Sequence, residues 1–367
     1  MPALASQTRQ FRATLLPAHG RIPLVTPRRW LLVALSFAAV IGVSIYLVVT
    51  SWPEGGPPIQ LPVTAHLLAL GAVAAEVFTR ALKIKLAARS LGIPIRLSTS
   101  SRMSLAGDFG GSITPARSGA EPARFFVLAQ AGIKPVNALI ILFCELFLSM
   151  LSLAIIAVAG TFVFREQGAI VGGLVGVVGA YASFLLGTAT AGMLLSRHNA
   201  SGPPPKWVKS VGFHAGHWRT VQRSLRQLRA GVAAMRKARP FPLFLSLLMA
   251  VANVMLRLSL LPILVLYMAP EVSLAPLVLW PMVLLYGGAV APAPGGGGLI
   301  EVAFKATLGG VIPAAAFVTA LVWWRFYTFY VYVLLGALAT GGTVMRALRR
   351  EAPVTSAPRV PEVHAGV

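Results

Sequence analysis

The sequence predicts an all-α polytopic membrane protein. About six full transmembrane spans are expected, plus two re-entrant helical hairpins inserted from opposite sides in an inverted-repeat architecture. Three observations carry this reading. Apolar residues make up 56% of the 367 and charged residues 11%, and the mean hydropathy of +0.77 lies well above that of soluble domains. Basic residues collect in alternate loops between apolar runs. Two Gly/Pro-broken stretches, 113–124 and 291–301, interrupt the apolar sequence, and each carries a carboxylate.

The formal charge of +22 would suit a nucleic-acid partner if it sat on one soluble module. Instead the Lys and Arg residues are divided among short inter-span segments, which positive-inside topology explains, so no nucleic-acid partner is expected. The single cysteine, Cys144, lies in an apolar run; it excludes an intrachain disulfide and a thiolate metal cluster. No metal or cofactor is expected.

Residues 1–29 hold five Arg and no acid, and precede the apolar run Trp30 to Thr50. No short apolar core or cleavage site of a signal peptide is present, so this is a retained first span behind a cytoplasmic N-terminal segment. Loop 51–61 has Glu54 and no Lys or Arg, placing it outside. A span near 62–82 returns to a basic segment with Lys83, Lys85, Arg89, Arg96 and Arg102. Spans near 136–162 and 168–195 are joined by a short outer loop with Arg165 and Glu166. Segment 197–240 carries ten basic residues and no acid and is therefore cytoplasmic. Within it Trp218, Val221, Leu225, Leu228, Val232 and Met235 recur at helical spacing. That pattern suits an amphipathic helix on an anionic leaflet, with a solvated linker helix as the alternative. Spans near 241–268 and 314–344 come next, and Arg346, Arg349 and Arg350 place the disordered tail 346–367 inside. Residues 30–345 thus form one transmembrane domain. Its setting is expected to be a bacterial-type inner (plasma) membrane, with both termini cytoplasmic.

Parity assigns the broken segments. Region 98–134 leaves from basic flanks and returns to them, whereas 272–313 starts and ends in uncharged or acidic sequence. Both are expected as hairpins, the first from inside and the second from outside. A Pro or Gly break frees backbone N–H and C=O groups that hydrocarbon cannot satisfy, so such breaks persist only within protein or along a wet cavity. Gly295, Gly296, Gly297 and Gly298 remove every Cβ from one turn, and a half-helix starting near Leu299 would direct its positive N-terminus inward. Pro115 and Gly119 bracket the first break, with Glu121 and Arg124 in the first turns of the next half-helix. An anionic headgroup suits both ends; tight helix packing is the alternative role of the glycines.

Five of the ten acids, Glu76, Asp108, Glu121, Glu145 and Glu301, fall in expected membrane segments. Arg80, Arg117, Arg124, Arg257, Lys305 and Arg325 accompany them. A charge at the bilayer centre costs about 2.5–3.5 kcal/mol on insertion scales, so these side chains are expected to face one another or a polar cavity. Glu76 and Arg80, four residues apart, are expected as a structural ion pair. The aromatic residues around Arg325, from Trp323 to Tyr332, are expected to form an interface belt, with a cation-bearing wall as the alternative.

Pro115, Gly119, Glu121 and Arg124, then Pro294 to Gly298 with Glu301, then Arg325 in the last long span together form a pattern. It resembles the lysylphosphatidylglycerol synthase transmembrane family of flippase-like membrane domains, over about residues 30–345. In that family the first motif reads P-x-R-x-G-E-x-x-R; Arg117 fits its Arg, and Ala120 stands as an extra residue between Gly119 and Glu121. The resemblance implies about eight hydrophobic segments. In the best-known members these move an aminoacylated or otherwise modified anionic phospholipid between leaflets, and other members accompany hopanoid and polyprenyl-lipid pathways. After Arg350 only about 17 residues remain, so the soluble aminoacyl-transfer domain, and with it synthase activity, is not expected.

The leading functional reading is a lipid flippase or scramblase and not an enzyme. Arg117, Arg124 and Arg325 would hold the phosphate, Gly295 to Gly298 would let the backbone approach it, and Glu121 and Glu301 would balance charge or carry a coupling proton. Asp108 and Glu145 are further candidates for coupling or charge balance. Membrane lipids with anionic headgroups, and a lipid-modifying enzyme, are the expected partners. One alternative is an integral membrane polyprenyl-diphosphate phosphatase, because Pro115 to Ser118 shares residues with the Pro-Gly-x-Ser-Arg-Ser loop of such enzymes. Their paired Glu-x-x-x-Glu segment is missing. The other alternative is a non-catalytic accessory subunit of a lipid-modifying system.

Overall fold

A computed structural model describes residues 42–53, 57–166, 237–287 and 296–350, with a few isolated positions elsewhere and side chains to Gly341. The expected basic N-terminus 1–29, nearly all of span 168–195, the cytoplasmic segment 197–240 up to about residue 236 and the tail beyond Arg350 fall outside the described residues, as does Gly295. Every element among the described residues is helical.

After a helical stretch at 42–50, the chain forms α1 (Val63–Ser90), α2 (Leu97–Ser112), a single 3₁₀ turn (Pro115–Arg117), α3 (Ala120–Gln130) and α4 (Pro135–Val163). It continues as α5 (Pro240–Leu258), α6 (Leu260–Leu266), α7 (Leu274–Met282), a π turn (Val283–Gly287) and α8 (Leu299–Leu308). It ends with α9 (Ala314–Arg325), a second π turn (Phe326–Tyr330) and α10 (Val331–Arg350).

Among the described residues, three stretches are long and apolar enough to cross a membrane: Pro135–Val163, Pro240–Leu266 and Ala314–Gly341. They coincide with the spans expected near 136–162, 241–268 and 314–344. The protein is thus a multi-pass helical membrane protein. Helix α1 runs past the expected boundary at 82 and keeps Lys83 inside it, 3% exposed. Hydropathy ends a span at the first run of charges; here the helix continues because Lys83 meets Glu145 on α4.

Helix α1 packs along α5, and the two are joined by hydrogen bonds that apolar side chains cannot supply. Ser246 donates to the Lys83 carbonyl at 2.7 Å, and Asn253 donates to the Glu76 carbonyl at 3.1 Å. Helix α10 crosses α2 so closely that a Cβ at Gly336 would lie 2.5 Å from the Leu105 carbonyl oxygen. Small residues at such crossings let backbones approach where lipid offers no hydrophobic drive for association. On the other side, α6, α8 and α9 share a core around Phe304, Leu264 and Trp324, with the Phe304 and Trp324 rings 4.9 Å apart.

Gly336→Val, which forces α10 off α2, is expected to lower stability by about 1–3 kcal/mol through overpacking. Gly71→Ala, where nothing lies within 4 Å of the added Cβ, should not lower it. Thermal unfolding of the detergent-solubilised protein measures both; equal melting temperatures would remove the proposed tight crossing.

Candidate functional site

The site begins with the small residues of α2. Gly107, Gly110 and Gly111 recur at three- and four-residue spacing and so share one face. A Cβ at Gly107 would overlap the Arg124 side chain, and one at Gly110 would lie 2.6 Å from the Gly119 carbonyl oxygen. Their absence lets the break and α3 lie directly on α2. Within the break Ala116 and Arg117 take left-handed φ angles of 49° and 55°, a conformation that costs a residue with a Cβ about 1–2 kcal/mol. Thr114 compensates the interrupted backbone: its hydroxyl donates to the Gly110 carbonyl at 2.7 Å and accepts from the Gly119 N–H at 2.8 Å.

This arrangement turns three charged residues of the first broken unit toward α1 and α4. Asp108 receives Arg80 Nη1 at 2.6 Å on one oxygen and Arg117 Nη2 at 3.5 Å on the other. Arg124 Nη1 bridges Glu121 at 2.9 Å and Glu145 at 3.0 Å. Glu145 also receives Lys83 Nζ at 2.8 Å, and the same Nζ donates to Ser149 Oγ at 2.8 Å. At the far end Glu76 accepts from Asn253 at 2.9 Å and lies 3.5 Å from Arg80 and 3.9 Å from Arg257.

These groups line a cavity of about 220 Å³ between α1, α2, α4, α5 and the first π turn, which contributes Leu285 and Tyr286. Its charged lining comprises Arg80, Lys83, Arg117, Arg124 and Arg257 against Glu76, Asp108 and Glu145. Five basic groups against these three carboxylates and Glu121, which pairs with Arg124 from outside the lining, leave an excess of one positive charge. Arg80 and Arg257 also keep N–H groups without hydrogen-bond partners among the described residues. An anion is the ligand this lining suits, since guanidinium groups bind carboxylates and phosphates through paired, charge-assisted hydrogen bonds.

The second broken unit has a separate centre. Gly298, at φ 79°, precedes α8, so the half-helix starts at Leu299 with Glu301 in its first turn. Glu301 is 2% exposed and accepts from Arg325 Nε at 2.8 Å. Ser44 donates to it at 3.5 Å, and the Arg325 guanidinium lies 4.8 Å from the Phe329 ring centroid. The aromatic belt expected here is internal in part: Trp323, Phe326 and Phe329 are half-buried and Tyr330 is exposed, whereas Trp324, Tyr327 and Tyr332 are at most 2% exposed. They are buried because this helix packs α8 and α1 on the faces those rings occupy.

The family described as lysylphosphatidylglycerol synthase TM region matches residues 31–336. The chain belongs to this family. A comparison with curated proteins finds no match.

In this member of the family the expected site residues divide between two places. Arg117, Arg124, Asp108 and Glu145 line the cavity. Glu121 reaches it only through Arg124, its side chain 55% exposed. Glu301 and Arg325 pair with each other at the second broken unit, next to Gly296, Gly297 and Gly298, and are not among the lining residues. Sequence reasoning assigned Glu76 with Arg80 to structure alone and Lys83 to a cytoplasmic loop, yet all three line the cavity. Asn253, Arg257, Tyr286 and Tyr332 were not singled out as site residues. The available signal was a lone polar side chain inside an apolar run, as at Asn253 and Arg257.

Removing one partner of a buried pair leaves the other charge uncompensated at about 3–5 kcal/mol. Glu301→Ala is therefore expected to destabilise strongly, and adding Arg325→Met to recover much of the loss. A double variant no more stable than Glu301→Ala, by thermal unfolding, would contradict the isolated pairing.

Proposed function

We propose that this protein moves lipids with anionic headgroups between leaflets, without making or breaking covalent bonds. The observation that carries the reading is the positive excess of the cavity lining, set inside an apolar helical body. An unbalanced guanidinium in hydrocarbon costs roughly 2.5–3.5 kcal/mol even on insertion scales, so the excess positive charge calls for a counter-anion in the cavity. A phosphate headgroup supplies it, with the acyl chains left in the surrounding lipid. Arg80, Arg117, Arg124 and Arg257 would contact the phosphate. Asp108 and Glu145 would hold those arginines apart while the cavity is empty.

In this reading the two broken units are re-entrant hairpins inserted from opposite sides, accompanied by about six full spans related as an inverted repeat. The family assignment and the interrupted backbones at 113–119 and before α8 support it. Alternate opening of the hairpins would expose the cavity to each side in turn, and the Glu301–Arg325 pair would tie the second hairpin to α9. The setting is a bacterial-type inner membrane with both termini cytoplasmic, and a lipid-modifying enzyme is the partner that would supply the cargo.

Topology is tested in a Cys144→Ala background by single cysteines at the exposed positions Ala131 and Ser273. The first should react with an impermeant maleimide from the cytoplasmic side only and the second from the outer side only; labelling of both from one side would overturn the opposed hairpins. Transport is tested by exchange of tail-labelled phosphatidylglycerol and a polyprenyl phosphate in proteoliposomes, with phosphate release followed in parallel. Each charge-assisted hydrogen bond contributes about 1.5–3 kcal/mol, so Arg124→Gln and Arg257→Gln should each slow exchange about ten-fold or more. Wild-type rates in both would sink the assignment, and phosphate release without exchange would make the protein a phosphatase.

A further inference from the structure

We propose that Tyr332 is a positioning residue of the cavity, its ring holding Arg80 and Arg257 so that both guanidinium groups serve one phosphate. The inference rests on the headgroup reading above and names the device that shapes its most basic end.

Arg80 comes from α1 and Arg257 from α5, and both line the cavity. Their guanidinium carbons lie 5.2 and 4.9 Å from the centroid of the same Tyr332 ring. Tyr332 is 2% exposed and stands behind the lining, outside the cavity wall itself. Two cations gathered on one ring repel each other. Among the described residues the carboxylate that pairs with both is Glu76, at 3.5 and 3.9 Å, too long for strong hydrogen bonds. The electron-rich ring face supplies the remaining attraction in a desolvated setting, where cation–π contacts are strongest. It does so without consuming an N–H. Arg80 Nε and Nη2 and Arg257 Nε accordingly have no hydrogen-bond partners among the described residues, whereas a second carboxylate in place of the ring would occupy those donors.

The backbone contains the device that aims the ring. Arg325 and Tyr332 are seven residues apart, close to two turns of a regular α-helix, and would then share a face. The π turn Phe326–Tyr330 between them inserts an extra residue into the helical repeat and rotates α10 relative to α9. Arg325 therefore meets Glu301, and Tyr332 meets the two cavity arginines. Arg257 fastens the same turn by donating to the Thr328 carbonyl at 3.0 Å. The ring is the group that faces both guanidinium groups; the Tyr332 hydroxyl lies toward Glu76 and completes no hydrogen bond of good geometry among the described residues.

The test uses the full chain in detergent and two short-chain probes, dioctanoyl phosphatidylglycerol and dioctanoylglycerol, which differ by the phosphate headgroup. Wild type should prefer the phosphatidylglycerol. Tyr332→Met, close in volume but without a π face, should weaken that preference about ten-fold, while Tyr332→Phe should restore it to within about two-fold. Tyr332→Leu, read the same way, serves if the Met variant does not elute as wild type does. A role in packing alone would weaken both probes together and leave their ratio unchanged. An unchanged ratio in the Met and Leu variants, an equal loss in Tyr332→Phe, or no wild-type preference would each overturn the proposal. Probe binding in the expected order by a protein that exchanges no lipid would remove the transport reading and leave the role of Tyr332 standing.

Discussion

Charge buried among apolar helices is the constraint on which the rest of this structure depends. In a medium of low dielectric an unpaired ion is far costlier than the packing of any single side chain, so each buried carboxylate determines which helix lies beside it. Asp108 on α2 takes Arg80 of α1 at 2.6 Å, Glu145 on α4 takes Lys83 of α1 at 2.8 Å, and Glu301 on α8 takes Arg325 of α9 at 2.8 Å. Helix α1 is the common partner of α2, α4 and α5, and its polar face is one wall of the cavity. A pair replaced by well-packed apolar groups is often no less stable. Retaining so many suits a protein whose interior must receive an ion.

The second constraint is the backbone. The first break is tolerated because Thr114 takes up the Gly110 carbonyl and the Gly119 N–H, and the second π turn because Arg257 takes up the Thr328 carbonyl. Both π turns lie beside the cavity: one contributes Leu285 and Tyr286, and the other sets the direction of Tyr332. The first break and both π turns thus lie around the charged lining, where polar groups satisfy them, whereas the break before α8 lies at the separate Glu301–Arg325 pair.

Much of this was legible in the sequence, for identifiable reasons. Long apolar runs are determined by local composition, so the spans near 136–162, 241–268 and 314–344 were readable within a few residues. The break between α2 and α3 was marked by Pro115 and Gly119, and the start of α8 by the glycines before Leu299. The site was legible only in part, because pairing is a property of distance in space. Lys83 looked like the start of a loop until Glu145, 62 residues away, placed it inside. Glu301 and Arg325 stand out in the sequence as charges among apolar residues, and in the structure they satisfy each other away from the cavity. Asn253 and Tyr332 carried no motif at all, and the π turn that orients Tyr332 has no reliable sequence signature.

The central claim is that the charged cavity holds an anionic lipid headgroup. It is tested most directly by an experimental structure of the protein in nanodiscs containing phosphatidylglycerol. The account predicts phosphate density within hydrogen-bonding distance of Arg80 and Arg257, with acyl chains leading out between helices. A cavity holding only water, with ordered headgroups confined to the outer surface of the helices, would contradict it.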